Sequence, residues 1–228
     1  MKATIQTKTN NFNVDLSQPF DISIPLQNGA NNPNAWYLDP PKINPVERED
    51  WIGSVRQGAA VNFNNIQFNP HAHGTHTECV GHITEEFHSI NQNLKQFFFL
   101  AELITIAPTR LNTDFVISKK QLQFALGGKK PQATVIRTIP NTIEKLTQQY
   151  SNTNPPYFLQ EAALFLKSIG TKHWLVDLPS VDKEQDEGQL LAHNAFWNTS
   201  DGTYLLNLQI AAFENDASPS KPILYKLK

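Results

Sequence analysis

The twelve residues His71-Ala72-His73-Gly74-Thr75-His76-Thr77-Glu78-Cys79-Val80-Gly81-His82 hold four of the chain's seven histidines, one carboxylate and its only cysteine. Elsewhere ligand-type side chains are thinly spread, since only 18% of residues are charged. Imidazole is the commonest metal ligand and the side chain best suited to move protons near neutral pH. Glu78 adds the hard oxygen donor that completes many zinc and manganese sites. The alternative for any one of these histidines is a hydrogen bond to backbone in a glycine-containing turn. Four of them interleaved with small residues favour metal or proton chemistry.

These residues need a scaffold, and the flanking pattern describes one. Val61-Asn62-Phe63-Asn64 and Ile66-Gln67-Phe68 alternate apolar and polar, the signature of half-buried strands. Pro70 interrupts them, and Gly74-Thr75 permits a tight change of direction before Cys79-Val80. In an extended stretch His71 and His73 would share one face, with Ala72 on the other. The spacing and Gly74 rule out a helical H-E-x-x-H site.

The segment resembles the H-x-G-T-H-x-D-x-P-x-H motif of the metal-dependent cyclase family, which includes bacterial kynurenine formamidase and isatin hydrolase. Gly74-Thr75-His76 match its G-T-H and His82 its last histidine, while Glu78 stands for Asp and Val80 for Pro. Four further blocks agree in order and spacing: Phe20 to Leu26, Ala133 to Thr138, Glu161 to Gly170, and Leu175 to Asp182. The similarity covers roughly residues 15 to 210. It implies the family's swivelling β/β/α fold and a divalent ion, zinc or manganese, that polarises an amide carbonyl and activates water. By position in the motif, His76, Glu78 and His193 (in Gln189-Leu190-Leu191-Ala192-His193) would be ligands and His82 the general acid/base.

Two departures bear on that site. Ala72 falls where the family's first metal-binding histidine stands, leaving His71 and His73 as candidates, with His73 preferred for its position beside Gly74. The family's late glutamate has no counterpart between Asn194 and Gln209, where the only carboxylate is Asp201, and Asp201-Gly202 reads as a turn. Glu214 is a substitute further along. Such a site holds one ion where relatives hold two, or none.

Composition sets the remaining limits. A chain of 228 residues is long enough for one well-cored domain, taken here as residues 1–228. Net charge of −2 gives no support for a nucleic-acid partner, and no stretch approaches the roughly 20 apolar residues that cross a bilayer. The N-terminal residues lack the apolar core of a signal peptide, and a single cysteine forms no internal disulfide; both agree with a cytoplasmic protein. Cys79 reads as a small buried hydrophobe rather than a nucleophile. Strands are expected at Leu103-Ile106, Val135-Ile136, His173-Leu178, Thr203-Leu208 and Gln96-Ala101, the last of them buried. Helices are expected over Lys119 to Phe124 and Pro156 to Ile169, with Gly170 as C-cap. Asp177 and Asp182 are site residues or turn caps. The class is α+β with a mixed sheet in a single domain.

Two functional classes follow. One is a metal-dependent hydrolase of a small amide or cyclic amide, arylformamidase-like. The other is a catalytically inactive, metal-free member that binds a small molecule. The long Asn28 to Pro45 loop, with Trp36 and Tyr37, predicts a homo-oligomer, dimer or tetramer, in which that region packs near a neighbour or over the site mouth.

Overall fold

Three parallel strands organise the chain, Ala133–Thr138 lying between Ala101–Ile106 and His173–Val176, with Val135 opposite both Leu103 and Leu175. The computed structural model describes residues 1–7, 10–197, 208–211 and 213–226. Ala133–Thr138 is buried at every position but Arg137, as a central parallel strand must be. Ile104, Ile106 and Ile136 point to the helices Lys119–Leu126, Gln160–Ser168 and Leu191–Trp197, whose Leu122, Leu126, Ala162, Ala163, Leu166 and Ala192 complete the main core. Ser118 starts the first of these helices with a capping box, its hydroxyl accepting from the Gln121 N–H while the Gln121 side chain accepts from the Ser118 N–H. The architecture is α+β with mixed sheets, the class read from the sequence.

Several expected elements are redrawn. The helix expected from Pro156 begins only at Gln160, because Tyr157–Phe158 pairs in parallel with Asp114–Ile117. Pro155-Pro156 disfavours helix in the residue before each proline. Gln96 to Leu100 is not a buried strand: Phe97 and Phe98 are exposed, and pairing begins only at Ala101, opposite Ala133. The segment around Phe63 and Ile66 does form a strand, Asn64–Gln67, paired with Lys42–Pro45, yet residues 61–67 are all exposed. Asp201-Gly202 and Thr203 to Asn207 lie outside the described residues; the strand seen there is Leu208–Ile210.

A second sheet delivers the histidine segment. The C-terminal strand Ala217–Leu224 pairs antiparallel with Leu208–Ile210, with Phe20–Asp21 and, at its start, with His76–Glu78. The last pairing sets Ala217 opposite Glu78 and Pro219 opposite His76. Among the described residues no helix is long and apolar enough to cross a membrane.

Candidate metal centre

A turn decides which histidines meet. Asn69 anchors it: its side-chain oxygen accepts from the His71 N–H, its carbonyl from the Ala72 and His73 N–H groups. The chain is therefore not extended from His71 to His73, and the two side chains part. His73 folds back, Nδ1 accepting from the Asn69 N–H at 2.8 Å and Nε2 donating to the Asp39 carbonyl at 2.9 Å. Both of its nitrogens are spent on backbone, and burial lowers its pKa, so it braces the turn as a neutral ring. Of the two candidates, His71 and not the preferred His73 is carried to the cluster. Gly74, at φ +118°, then takes the left-handed step into His76–Glu78.

Six side chains from separate parts of the chain converge. Glu78 is the hub, with Oε2 at 3.0 Å from His71 Nδ1, 3.7 Å from His76 Nε2 and 3.9 Å from His82 Nε2, and Oε1 at 3.1 Å from His193 Nε2. Asp216 approaches from the far side, Oδ2 lying 2.8 Å from His71 Nε2 and 3.5 Å from His82 Nδ1. It arrives there because the pairing of Ala217 with Glu78 is extended by the Cys79 N–H donating to the Asp216 carbonyl. The rings of His71 and His82 stack with centroids 4.3 Å apart. His82 follows Gly81, where an added Cβ would stand 2.5 Å from the His88 carbonyl oxygen, so only glycine admits this approach.

The donor set fits a divalent ion. Two atoms each roughly 2.0–2.3 Å from one zinc stand about 3–3.5 Å apart, and the spacings around Glu78 lie at that value or a few tenths above it. Ligating histidines usually tie their far nitrogen to an acceptor, which fixes the lone pair on the near one. His76 does so with the Gly74 carbonyl, His193 with Asp182 at 2.6 Å, and His71 with Asp216. Asp182 is itself held by the Ala192 and His193 N–H groups in the first turn of helix Leu191–Trp197. His82 differs: its nearest carboxylate oxygens are at 3.5 and 3.9 Å, and at 31% exposure it is the most open of the four, against 7% for His193. Among the described residues, His71, Glu78 and His82 are the one group of three whose donor atoms all lie within 4.8 Å of one another.

Charge is balanced within the cluster. Burial opposes a charged His193, but the Asp182 and Glu78 carboxylates outweigh it and hold its pKa up to about 9. Burial likewise opposes a charged His71, and Glu78 and Asp216 overcome it to raise its pKa. Glu78 is held well below the usual carboxylate range, its burial more than offset by His193, His71 and His76. His82 goes the other way, lowered by burial and by its neighbours His71 and His193. A metal must displace the protons that His193 and His71 carry in the ion-free protein. Affinity should therefore climb about tenfold per pH unit for each displaced proton, from pH 6.5 until His193 is deprotonated near pH 9. Zinc titrations against a competing chelator at pH 6, 7, 8 and 9 measure the slope; a flat profile contradicts the assignment. The ion-free protein has the reverse sign. The His193 contribution to stability is complete below pH 6.5 and lost as pH rises through about 9, and that of Glu78 is lost on acidification.

The remaining candidates fall outside the cluster. Glu214 is exposed and accepts from the Asn91 and Gln92 side chains, and the carboxylate that reaches the cluster is Asp216, two residues on. Sequence reading passed over Asp216, and only the register of Ala217–Leu224 against His76–Glu78 reveals it. Asp177 accepts from the Thr138 N–H and hydroxyl and from Lys145, tying two strand ends together. The Cys79 thiol donates to the His88 carbonyl, and burial raises its pKa, which suits packing and not nucleophilic attack. A cavity of about 310 Å³ opens against Gly74 and Thr75, but none of the six cluster residues lines it.

The fold has relatives. A cyclase family model, described as "Putative cyclase", matches residues 14–183. Among solved structures, an isatin hydrolase bound to the product analogue thioisatinate aligns with TM-score 0.61 at 14% identity, over 93% of this chain and 94% of that one. A potential metal-dependent hydrolase with cyclase activity aligns with TM-score 0.59 at 15% identity, over 92% and 98%. A predicted metal-dependent hydrolase from Bacillus stearothermophilus gives 0.57 at 15% identity, over 91% and 98%. No curated protein matches the chain. The structural likenesses carry the fold and the family model covers most of the sequence: this chain belongs to the cyclase family.

Proposed function

We propose that the chain is a divalent-metal-dependent hydrolase that cleaves the C–N bond of a small amide or cyclic amide, in the manner of an arylformamidase. The observation that carries this reading is the convergence of His71, His76, His82 and His193 on Glu78 and Asp216. The likeness to proteins described as metal-dependent hydrolases supports it. His71, His76, Glu78 and His193 would hold zinc or manganese. A divalent ion in that place supplies a Lewis acid for the carbonyl oxygen and lowers the pKa of a water. Asp182 and Asp216 orient His193 and His71. His82, neutral at pH 7 with its Nε2 facing the centre, accepts the proton of the attacking water and returns it to the leaving nitrogen.

The test is hydrolysis of an N-formyl aromatic amino acid and of an aromatic lactam, each before and after chelation. Turnover of either compound, abolished by chelator and restored by zinc or manganese, is the expected result. Turnover that survives complete removal of metal contradicts the proposal. A folded protein that binds such amides but takes up no metal would be the inactive binding protein.

A further inference from the structure

The strand that carries two of the candidate ligands has a second face. Side chains alternate along His76–Glu78, so His76 and Glu78 look into the cluster. Thr75, one step earlier, looks away from it, and its hydroxyl accepts from the Ile24 N–H at 2.8 Å. On that far face lies the cavity of about 310 Å³ that opens against Gly74 and Thr75. Small-molecule sites span roughly 300–1,000 Å³, and this one stands at the lower end. At about 30 Å³ for each water it holds roughly ten water-sized centres, the size of an amino acid such as leucine or phenylalanine.

The lining has two parts. Ile24, Leu26, Phe68, Pro70 and Pro219 make an apolar wall. Asp21 and Lys221 form a charged rim, with Lys221 Nζ 3.0 Å from Asp21 Oδ2 and the two side chains 58% and 45% exposed for Lys221 and Asp21. Hydrogen bonds from Ser23, with Lys221 beside it, hold the Asp21 carboxyl down at about 2, so its negative charge persists. An exposed ion pair of this kind holds weakly and can exchange partners. Ser220 adds a further polar group to the lining. It is only 9% exposed, its N–H donates to the Thr75 carbonyl, and its hydroxyl meets no partner among the described residues. Buried hydroxyls are ordinarily paired, and a polar ligand atom would complete this one.

We propose that this cavity binds a free α-amino acid with an apolar side chain. Lys221 and the Ser220 hydroxyl donate to its carboxylate, Asp21 accepts from its ammonium, and the side chain lies against Ile24, Phe68 and Pro219. An apolar wall beside one positive and one negative group matches a zwitterion with an apolar tail, whereas a simple acid or amine would leave one charge of the rim without a partner from the ligand. The occupant rests on Gly74, whose carbonyl holds His76 from the side away from the cluster. The site stands whether or not the cluster holds a metal.

Equilibrium dialysis of the ion-free full chain in chelator, with labelled L-phenylalanine as the probe, tests this. The expected result is one saturable site per chain, half-filled below about 1 mM. Phenylacetate lacks the ammonium and phenethylamine lacks the carboxylate, and each should compete at least about tenfold more weakly than unlabelled phenylalanine. Lys221→Gln should weaken phenylalanine about tenfold and leave phenethylamine unchanged. Asp21→Asn should weaken phenylalanine and leave phenylacetate unchanged. Ser220→Ala should weaken phenylalanine severalfold without lowering the melting temperature, because the hydroxyl it removes serves no partner in the free protein. No retention up to about 10 mM overturns the proposal, as does equal competition by all three compounds. So does an affinity indifferent to all three substitutions. Retention only by metal-loaded protein also overturns it, since the amino acid would then sit on the ion.

Discussion

His76→Ala and His193→Ala are expected to lose the ion, and with it turnover, by on the order of 10³-fold or more, since Lewis-acid stabilisation amounts to several kcal/mol. Each removes a nitrogen that faces Glu78 and has its far side already tied, by the Gly74 carbonyl or by Asp182. His193→Ala should also reduce stability, because the buried Asp182 carboxylate loses its charged ring partner and keeps only the two backbone N–H donors. His76 has no such burden, so its variant separates loss of metal from loss of fold. Metal content by elemental analysis, read beside a thermal melt, decides the matter. A His76→Ala protein that keeps a full complement of tightly held ion would remove His76 from the ligand set.

His82→Ala is expected to behave differently. Its ring is the most open of the four, lies furthest from Glu78 and lacks a short hydrogen bond to either carboxylate. If it moves the proton, turnover falls about 10²–10⁴-fold while metal content stays nearly unchanged. The acidic limb of the pH–rate profile offers a second readout, since His82 must be deprotonated to accept the water's proton and burial lowers its pKa. A merely packed histidine would instead cost expression and melting temperature, with activity per folded molecule kept. Equal loss of metal in the His76 and His82 variants would make His82 a ligand, as its closeness to His71 and Glu78 permits.

The sequence made the ligand types visible and left their geometry hidden. Gly74-Thr75-His76, Glu78, His82 and His193 could be picked out because local spacing and motif order are properties of the chain itself. The choice between His71 and His73 could not be made that way. It depends on the Asn69 turn, in which His73 is spent on backbone hydrogen bonds and His71 is turned inward. Asp216 was hidden for another reason. Its partner His71 lies 145 residues away, and Glu214 nearby looked equivalent until the register with Glu78 was known. The parallel strands Ala101–Ile106 and Ala133–Thr138 were legible from their apolar, β-branched runs, although the first is buried only at Ile104 and Ile106 and leaves Leu103 half exposed. Phe97-Phe98 and Val61 to Ile66 show the limit of that logic. An apolar pattern says that a face wants cover but not which surface supplies it, and here neither is covered within the chain.

The most direct measurement is the metal content of wild-type protein purified without a tag or chelator, followed by zinc or manganese titration of the ion-free form. Histidine donors gathered on the two oxygens of Glu78 predict about one tightly held equivalent per chain, released on acidification as His193 and His71 take up protons. Folded protein that carries no metal and binds none on titration would contradict the account at its centre, because His71 between its two carboxylates would then be a closed ionic network and nothing more.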